Sequence, residues 1–443
     1  MILRPIPAFK DVLSCVLLAS LLLSCGGSSS TTTPPSGLKF RAFVSQNVSA
    51  SSTIAGLVIV NAQLDRLAAA STISAGPSPG LMAVPANRQV TMVYNAANNG
   101  IDVVNNVKET SNGQVMLPGA TQSMAATSDA TLGFVAVPEA PVAGLAPGEV
   151  ETVNLTNTAL GSPVCVPTPS SSPQNGACVT PEPNIFSGAR YLALSPDNVH
   201  LLIFGDLLTV VTLTNIGTSA SPNWVITQAG IPSVAGTSDL DHPVWATFSP
   251  DNSMAYVFSC GPECGGTTAS VTPLSFKGSG SCAQNCLGAT IPLAGGATYA
   301  VASGNTVYVA GSAACLAPGA QPSSCGKLSI LNTSSGSVQL LKTVSITDGF
   351  HHQIAVTMDN QVFIGAEGCT GACLSIYNAN NGQVVIGSDL GDVTGIQPLS
   401  GRPQVYVVEN GELRNWSTLT DALAPPQQQM DIVGQAVDVK LVD

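Results

Sequence analysis

Charge is what this sequence has least of. Charged residues make up 9% of its 443 positions, against roughly 25% in ordinary soluble domains, so long charged helices and coiled coils are excluded. Basic residues are scarcer still. Fourteen Lys and Arg face 26 Asp and Glu, a net charge of −12, and no basic cluster stands beyond the N-terminal segment, which excludes nucleic acid as the main partner. Aromatics are 5% and histidines number four. No stretch sustains a 3.6-residue apolar period, so helical bundles are excluded too. No phosphate-binding loop, dinucleotide fingerprint, H-E-x-x-H or EF-hand pattern occurs. Gly76-Pro77-Ser78-Pro79-Gly80 spells G-x-S-x-G, but a nucleophile elbow needs a strand before it and a helix after it, and two prolines with no helical pattern deny both.

The N-terminus reads as an address. Arg4 and Lys10 precede an apolar run over residues 12–23, long enough for a secretory h-region and too short for the ~20 residues of a membrane span. It ends in Leu22-Leu23-Ser24-Cys25, which resembles the lipobox of bacterial lipoproteins. The resemblance implies a signal peptide over 1–24 and acylation of Cys25, hence an exported protein anchored by lipid to a membrane. Gly26 carries no acidic retention signal, so the outer membrane is expected, with the protein facing periplasm or cell surface. Residues 25–37 form a polar Gly/Ser/Thr/Pro tether, and 38–443 is expected to be a single domain.

Of twelve cysteines, setting aside Cys15 and Cys25 leaves ten, in five near-neighbour pairs: Cys165/Cys178, Cys260/Cys264, Cys282/Cys286, Cys315/Cys325 and Cys369/Cys373. Local disulfides suit an oxidising compartment. The rival reading is structural zinc on the 260/264 and 282/286 pairs. A strand of ~25 Å between those pairs would have to be bridged, which favours disulfides.

What is abundant is the β pattern. Short Val/Ile/Tyr/Phe-rich runs bounded by Gly, Asn, Asp and Pro recur along the mature chain. Equivalent turns are Val84-Pro85-Ala86-Asn87, Ala126-Thr127-Ser128-Asp129, Leu194-Ser195-Pro196-Asp197, Phe248-Ser249-Pro250-Asp251, Ala302-Ser303-Gly304-Asn305, Thr357-Met358-Asp359-Asn360 and Pro398-Leu399-Ser400-Gly401. A second strand follows each turn. A third then leads into Asn112-Gly113, Ser335-Gly336 or Asn381-Gly382, read as hairpin turns, and a fourth lies outside. Four antiparallel strands every ~40–55 residues make an all-β propeller. The segments Ala-Tyr-Val-Phe-Ser (255–259), Val-Tyr-Val-Ala-Gly (307–311), the two Ser-Pro-Asp-Asn turns and residues 374–384 resemble the YVTN-type propeller repeat family, which includes lactonase-like and surface-layer-associated bacterial proteins. The first unit lacks a first strand, and residues 436–442 supply an orphan one. Pairing the two closes the ring and removes both exposed edges. The count is eight blades, with seven the alternative because the unit from 129 to 197 carries an irregular Pro/Ser-rich insertion.

In such blades the loops from second to third strand, and those between blades, share one face. Three cysteine pairs, 260/264, 315/325 and 369/373, fall there, so this face is expected to be stapled. Asp241-His242 and Asp348 with His351-His352 precede innermost strands and are expected near the channel on the same face, where imidazoles and carboxylates could hold a divalent metal or polarise a carbonyl. Arg190 and Tyr299 have similar placement. His200 sits in a strand, where packing is its expected role. Three functions fit this reading. The first is a non-enzymatic module that binds an envelope protein or extracellular polymer through rigid loops. The alternative is a lactonase-like hydrolase or isomerase with a metal or acid/base site at the channel mouth. The third is a self-associating surface-layer component. Fold alone does not choose among them.

Overall fold

The second strand of most repeats is almost continuously apolar, as suits a strand covered on both faces. In a computed structural model these strands, among them Arg41–Asn47, Val90–Asn95, Met254–Ser259 and Gln404–Glu409, are buried along nearly their whole length. The structure describes residues 33–48, 56–167, 178–234, 240–279, 282–312, 325–334, 337–426 and 428–443. The expected signal peptide, Cys25 and the tether as far as residue 32 lie outside them. Pro34–Asp443 forms one compact unit.

Eight sheets build the ring, each on four antiparallel strands, in sequence order except in blade one, whose inner strand is the last of the chain; short extra strands extend blades five and eight, and a two-stranded ribbon, Val166–Pro167 with Cys178–Val179, marks the insertion. The innermost strands, taken by blade from one to eight, are Gln435–Leu441, Pro79–Ala83, Ser123–Ala126, Tyr191–Leu194, Pro243–Phe248, Tyr299–Ser303, Phe350–Val356 and Val393–Pro398. Each touches the next, and the eighth touches the first. The count is therefore eight, not seven. Among the described residues the only helix is one 3₁₀ turn, Gly261–Cys264. Side chains alternate between the two blade interfaces with period two. In blade three, Val135 and Val137 pack with Met92, Ile101 and Val103 of blade two, while Phe134 and Ala136 pack with Leu201 and Ile203 of blade four.

The recurring first turn has a physical cause. The Ser249 hydroxyl donates to Asp251 (2.7 Å) and accepts from the Met254 amide (3.1 Å). Thr127 with Asp129, Ser195 with Asp197 and Thr357 with Asp359 repeat the arrangement. The residue after the aspartate turns left-handed, as at Asn198 and Asn252, where asparagine is tolerated. Asn112-Gly113 is not a hairpin tip. It lies inside the outer strand Thr110–Met116 opposite a bulge at Val103/Val104, and the turn is made by residues 106–109.

Gln435–Leu441 pairs antiparallel with Arg41–Asn47, Val44 opposite Val439. Charge locks this seam. Arg41, buried, bonds Glu109 of blade two (2.7 Å), Asp443 beyond the closing strand (2.5 Å) and the Asn106 carbonyl (2.8 Å). The Asp438 carboxylate accepts the Met82 amide of blade two (2.9 Å) and Lys440 (2.9 Å). Arg402 and Tyr406 of blade eight both reach Asp65 of blade one (2.7 Å each). Removing one member of a buried ion pair strands the other charge and costs about 3–5 kcal/mol. Arg41→Ala is therefore expected to lower stability by about that amount in equilibrium denaturation, with loss of protection along 435–441 by hydrogen exchange.

Other buried carboxyls have no such partner. Glu409, fully buried at the end of a second strand with neither oxygen hydrogen-bonded, is pushed up to about 8 by burial first and by the Asp389 charge next. Glu263 is pushed up to about 7 by burial. A raised folded-state value means that the folded chain holds protons the unfolded chain releases, so this stability is full below about pH 4.5 and is lost as pH rises through 7–8. The melting temperature is expected to fall between pH 6 and 9. Glu409→Gln should flatten that slope, and an unchanged slope would contradict the assignment.

Candidate active site at the stapled mouth

The disulfides Cys260–Cys264 and Cys369–Cys373 close loops between second and third strands of blades five and seven, and Cys282–Cys286 joins two residues of one strand, the outer strand Cys282–Leu287 of blade five. The four-cysteine zinc reading therefore falls. Cys165 and Cys325 are disulfide-bonded as well; the side chain of Cys178 and all of Cys315, their expected partners, lie outside the described residues.

A cavity of about 880 Å³ opens at this face between blades four and five, lined by Arg190, Tyr191, Asp206, Asp241, His242 and Phe350 among others. The geometry starts from Asp241. One carboxylate oxygen accepts the Thr267 amide, the Thr267 hydroxyl (2.7 Å) and the Thr268 amide (2.9 Å), all from the loop that Cys260–Cys264 closes. The other lies 2.9 Å from His242 Nδ1. The bond to His242 first, and then those from Thr267 and Thr268, hold the Asp241 carboxyl well below the usual carboxylate range. An ionised carboxylate only accepts, so Nδ1 carries the proton and the neutral ring presents the Nε2 lone pair. The His242 side chain is 53% exposed. Its own backbone is left-handed and its carbonyl accepts the Cys260 amide (3.1 Å), so the staple is tied to the ring from both sides. Arg190 is exposed on the same wall, and its guanidinium has no partner among the described residues.

Only part of the expected group converges. His351 and His352 lie within the inner strand Phe350–Val356 instead of ahead of it, at an irregularity in its pairing that leaves His352 without a register partner. His351 is fully buried, with Nε2 3.0 Å from the Thr347 carbonyl; burial pushes it down to about 4, which keeps it neutral in the core. His352 faces the channel, with Nε2 3.2 Å from Glu367. Asp348 is buried and accepts the Thr370 hydroxyl (2.9 Å), so it fixes the 369–373 loop as Asp241 fixes the 260–264 loop. Tyr299 lines the channel, stacked on Trp245 at 4.4 Å, and burial pushes its phenol up to about 12. His200, on blade four, stacks against Phe276 of blade five at 3.7 Å. Among the described residues no three of His, Cys, Asp and Glu are placed to hold a metal ion. What Asp241 and His242 make is a carboxylate–imidazole hydrogen bond, an arrangement chemically able to take up and return a proton.

Sequence reasoning missed Thr267, Tyr191, Trp245 and Phe350. Tyr191 and Phe350 open inner strands, and Thr267 follows a staple, which are the signals that could have found them. A Cβ at Gly266 would stand 2.5 Å from Asp241 Oδ1, so any other residue there must move that carboxylate. Gly266→Ala is expected to displace Asp241 and speed amide exchange at Thr267 and Thr268 at least tenfold; unchanged exchange would show that Asp241 does not hold that loop.

No protein-family profile matches the chain and no curated protein matches it. Among solved structures it is similar to dihydro-heme d1 dehydrogenase NirN in complex with DHE, at 12% identity and a TM-score of 0.59, covering 91% of this chain and 75% of that one. It is also similar to a putative 6-phosphogluconolactonase from Bacteroides fragilis (12% identity, TM-score 0.49, 91% and 98% covered) and to the periplasmic gluconolactonase PpgL of Pseudomonas aeruginosa (12%, 0.49, 91% and 99%). At these identities the likeness is one of fold.

Proposed function

We propose that this chain is a propeller hydrolase acting on a lactone or related ester, with His242 as general base. The observation that carries the reading is a half-exposed imidazole oriented by an ionised carboxylate at an 880 Å³ cavity, its Nε2 and the nearby Arg190 guanidinium both without a hydrogen-bond partner among the described residues. In the reaction, His242 Nε2 takes a proton from water as the oxygen adds to the carbonyl carbon. Asp241 stabilises the imidazolium that forms, and Arg190 faces the developing oxyanion. The carbon–oxygen bond then breaks and the imidazolium returns its proton to the leaving alkoxide, so atoms and charge balance.

A rim built only to dock a macromolecule has no need of an oriented, unused base inside a cavity, and this favours the hydrolase over the non-enzymatic binding module. The reading keeps the tether and the Cys25 anchor inferred from sequence, which would hold the enzyme at a membrane surface of the cell envelope. Assay of the full chain against δ-lactones and p-nitrophenyl acetate is expected to show turnover that His242→Ala lowers by about 10²–10⁴ in kcat/KM with no change in melting temperature. No turnover above the rate in water would overturn the reading and return the binding module to first place.

A further inference from the structure

The mouth is the first of three cavities that follow one another along a single inner strand, Pro243–Phe248. Residues 243 and 244 line the mouth, 244 and 245 a second cavity of about 670 Å³, and 245–250 a third of about 580 Å³. Tyr191, Val244 and Phe350 are shared between the first and second, and Met124, Trp245 and Tyr299 between the second and third. A strand of six residues spans about 20 Å at ~3.3 Å per residue, which sets the length of the run.

Charge falls away along it. The mouth carries Arg190, Asp206, Asp241 and His242. In the second cavity the charged groups are engaged with each other or with a neighbour: His352 with Glu367 (3.2 Å), Lys440 with Asp438 (2.9 Å). No Asp, Glu, Lys, Arg or His lines the third, whose walls include Met124, Leu192, Leu194, Trp245, Phe248 and Val301. A small polar substrate would use only the mouth. An apolar tail placed in the third cavity leaves no charge stranded, whereas an ionic group there would meet no counter-charge, the polar part of the wall being Thr247, Ser249, Asn252 and Tyr299.

We propose that the channel takes an unbranched acyl chain, its polar head at the mouth and its tail in the uncharged third cavity. Joined to the hydrolase reading, on which this part rests, it makes the substrate an acyl-bearing lactone or ester. Burying each methylene contributes about 0.8 kcal/mol, so affinity should climb with chain length.

The probes are sodium butyrate, octanoate and dodecanoate, titrated into the full chain with Trp245 fluorescence as readout. Dodecanoate is expected to bind at least tenfold more tightly than butyrate. Ala302→Phe, which narrows the third cavity, should weaken dodecanoate at least tenfold. The chain-length series in the unmodified protein tests the proposal even if that variant fails to fold. Equal affinity for butyrate and dodecanoate, or no binding of either, would overturn the channel. Failure of the hydrolase reading appears separately, as absent turnover of p-nitrophenyl acetate beside intact dodecanoate binding.

Discussion

Ring, mouth and channel all depend on one seam, the pairing of Gln435–Leu441 with Arg41–Asn47. It is a contact between residues almost 400 positions apart, and until it forms the chain is an open array with two unpaired edges. Closing it removes those edges and turns eight sheets into a ring whose inner strands face a common axis. The ion pairs at the seam are buried and polar, so their contribution is register more than net stability. Val44 opposite Val439 places Asp438 against the Met82 amide; a shift of one residue would turn that carboxylate toward the opposite side.

The rigidity so obtained is carried to the mouth through short-range chemistry. A disulfide spanning four residues contributes little to global stability, because the loop it closes is small. Its local effect is different. It shapes the loop that delivers three donors to Asp241, and Asp241 in turn sets the tautomer of His242. Orientation is fixed before any ligand arrives, which is the property that electrostatic catalysis requires. Blade seven carries the same carboxylate-to-threonine device at Asp348 and Thr370, but the nearest histidine there turns into the core.

Much of the fold was legible in the sequence because its signals are local and repeated. The Ser/Thr-x-Asp turns, the doubly buried second strands and the near-neighbour cysteines each follow from interactions spanning a few residues. Closure was legible from what the ends lacked. The site was only partly so, and the histidines show why. His351 and His352 are adjacent, yet one is buried and the other lines the channel; which goes where depends on a break in strand register at that point, which nothing in the local pattern records. Most of the channel wall was harder still, since Tyr191, Trp245 and Phe350 come from three blades and meet only in the closed ring. Asn112-Gly113 failed for the converse reason: a strong turn signal was overridden by a bulged strand pairing.

The central claim is that His242 is held by Asp241 with an unoccupied Nε2, and ¹⁵N NMR of its ring nitrogens in the intact protein tests it most directly. The neutral ring is expected to carry its proton on Nδ1, with a shielded, bonded hydrogen there and an unprotonated Nε2 open to solvent. A neutral ring protonated at Nε2, or a ring whose two nitrogens respond identically to Asp241→Asn, would contradict it.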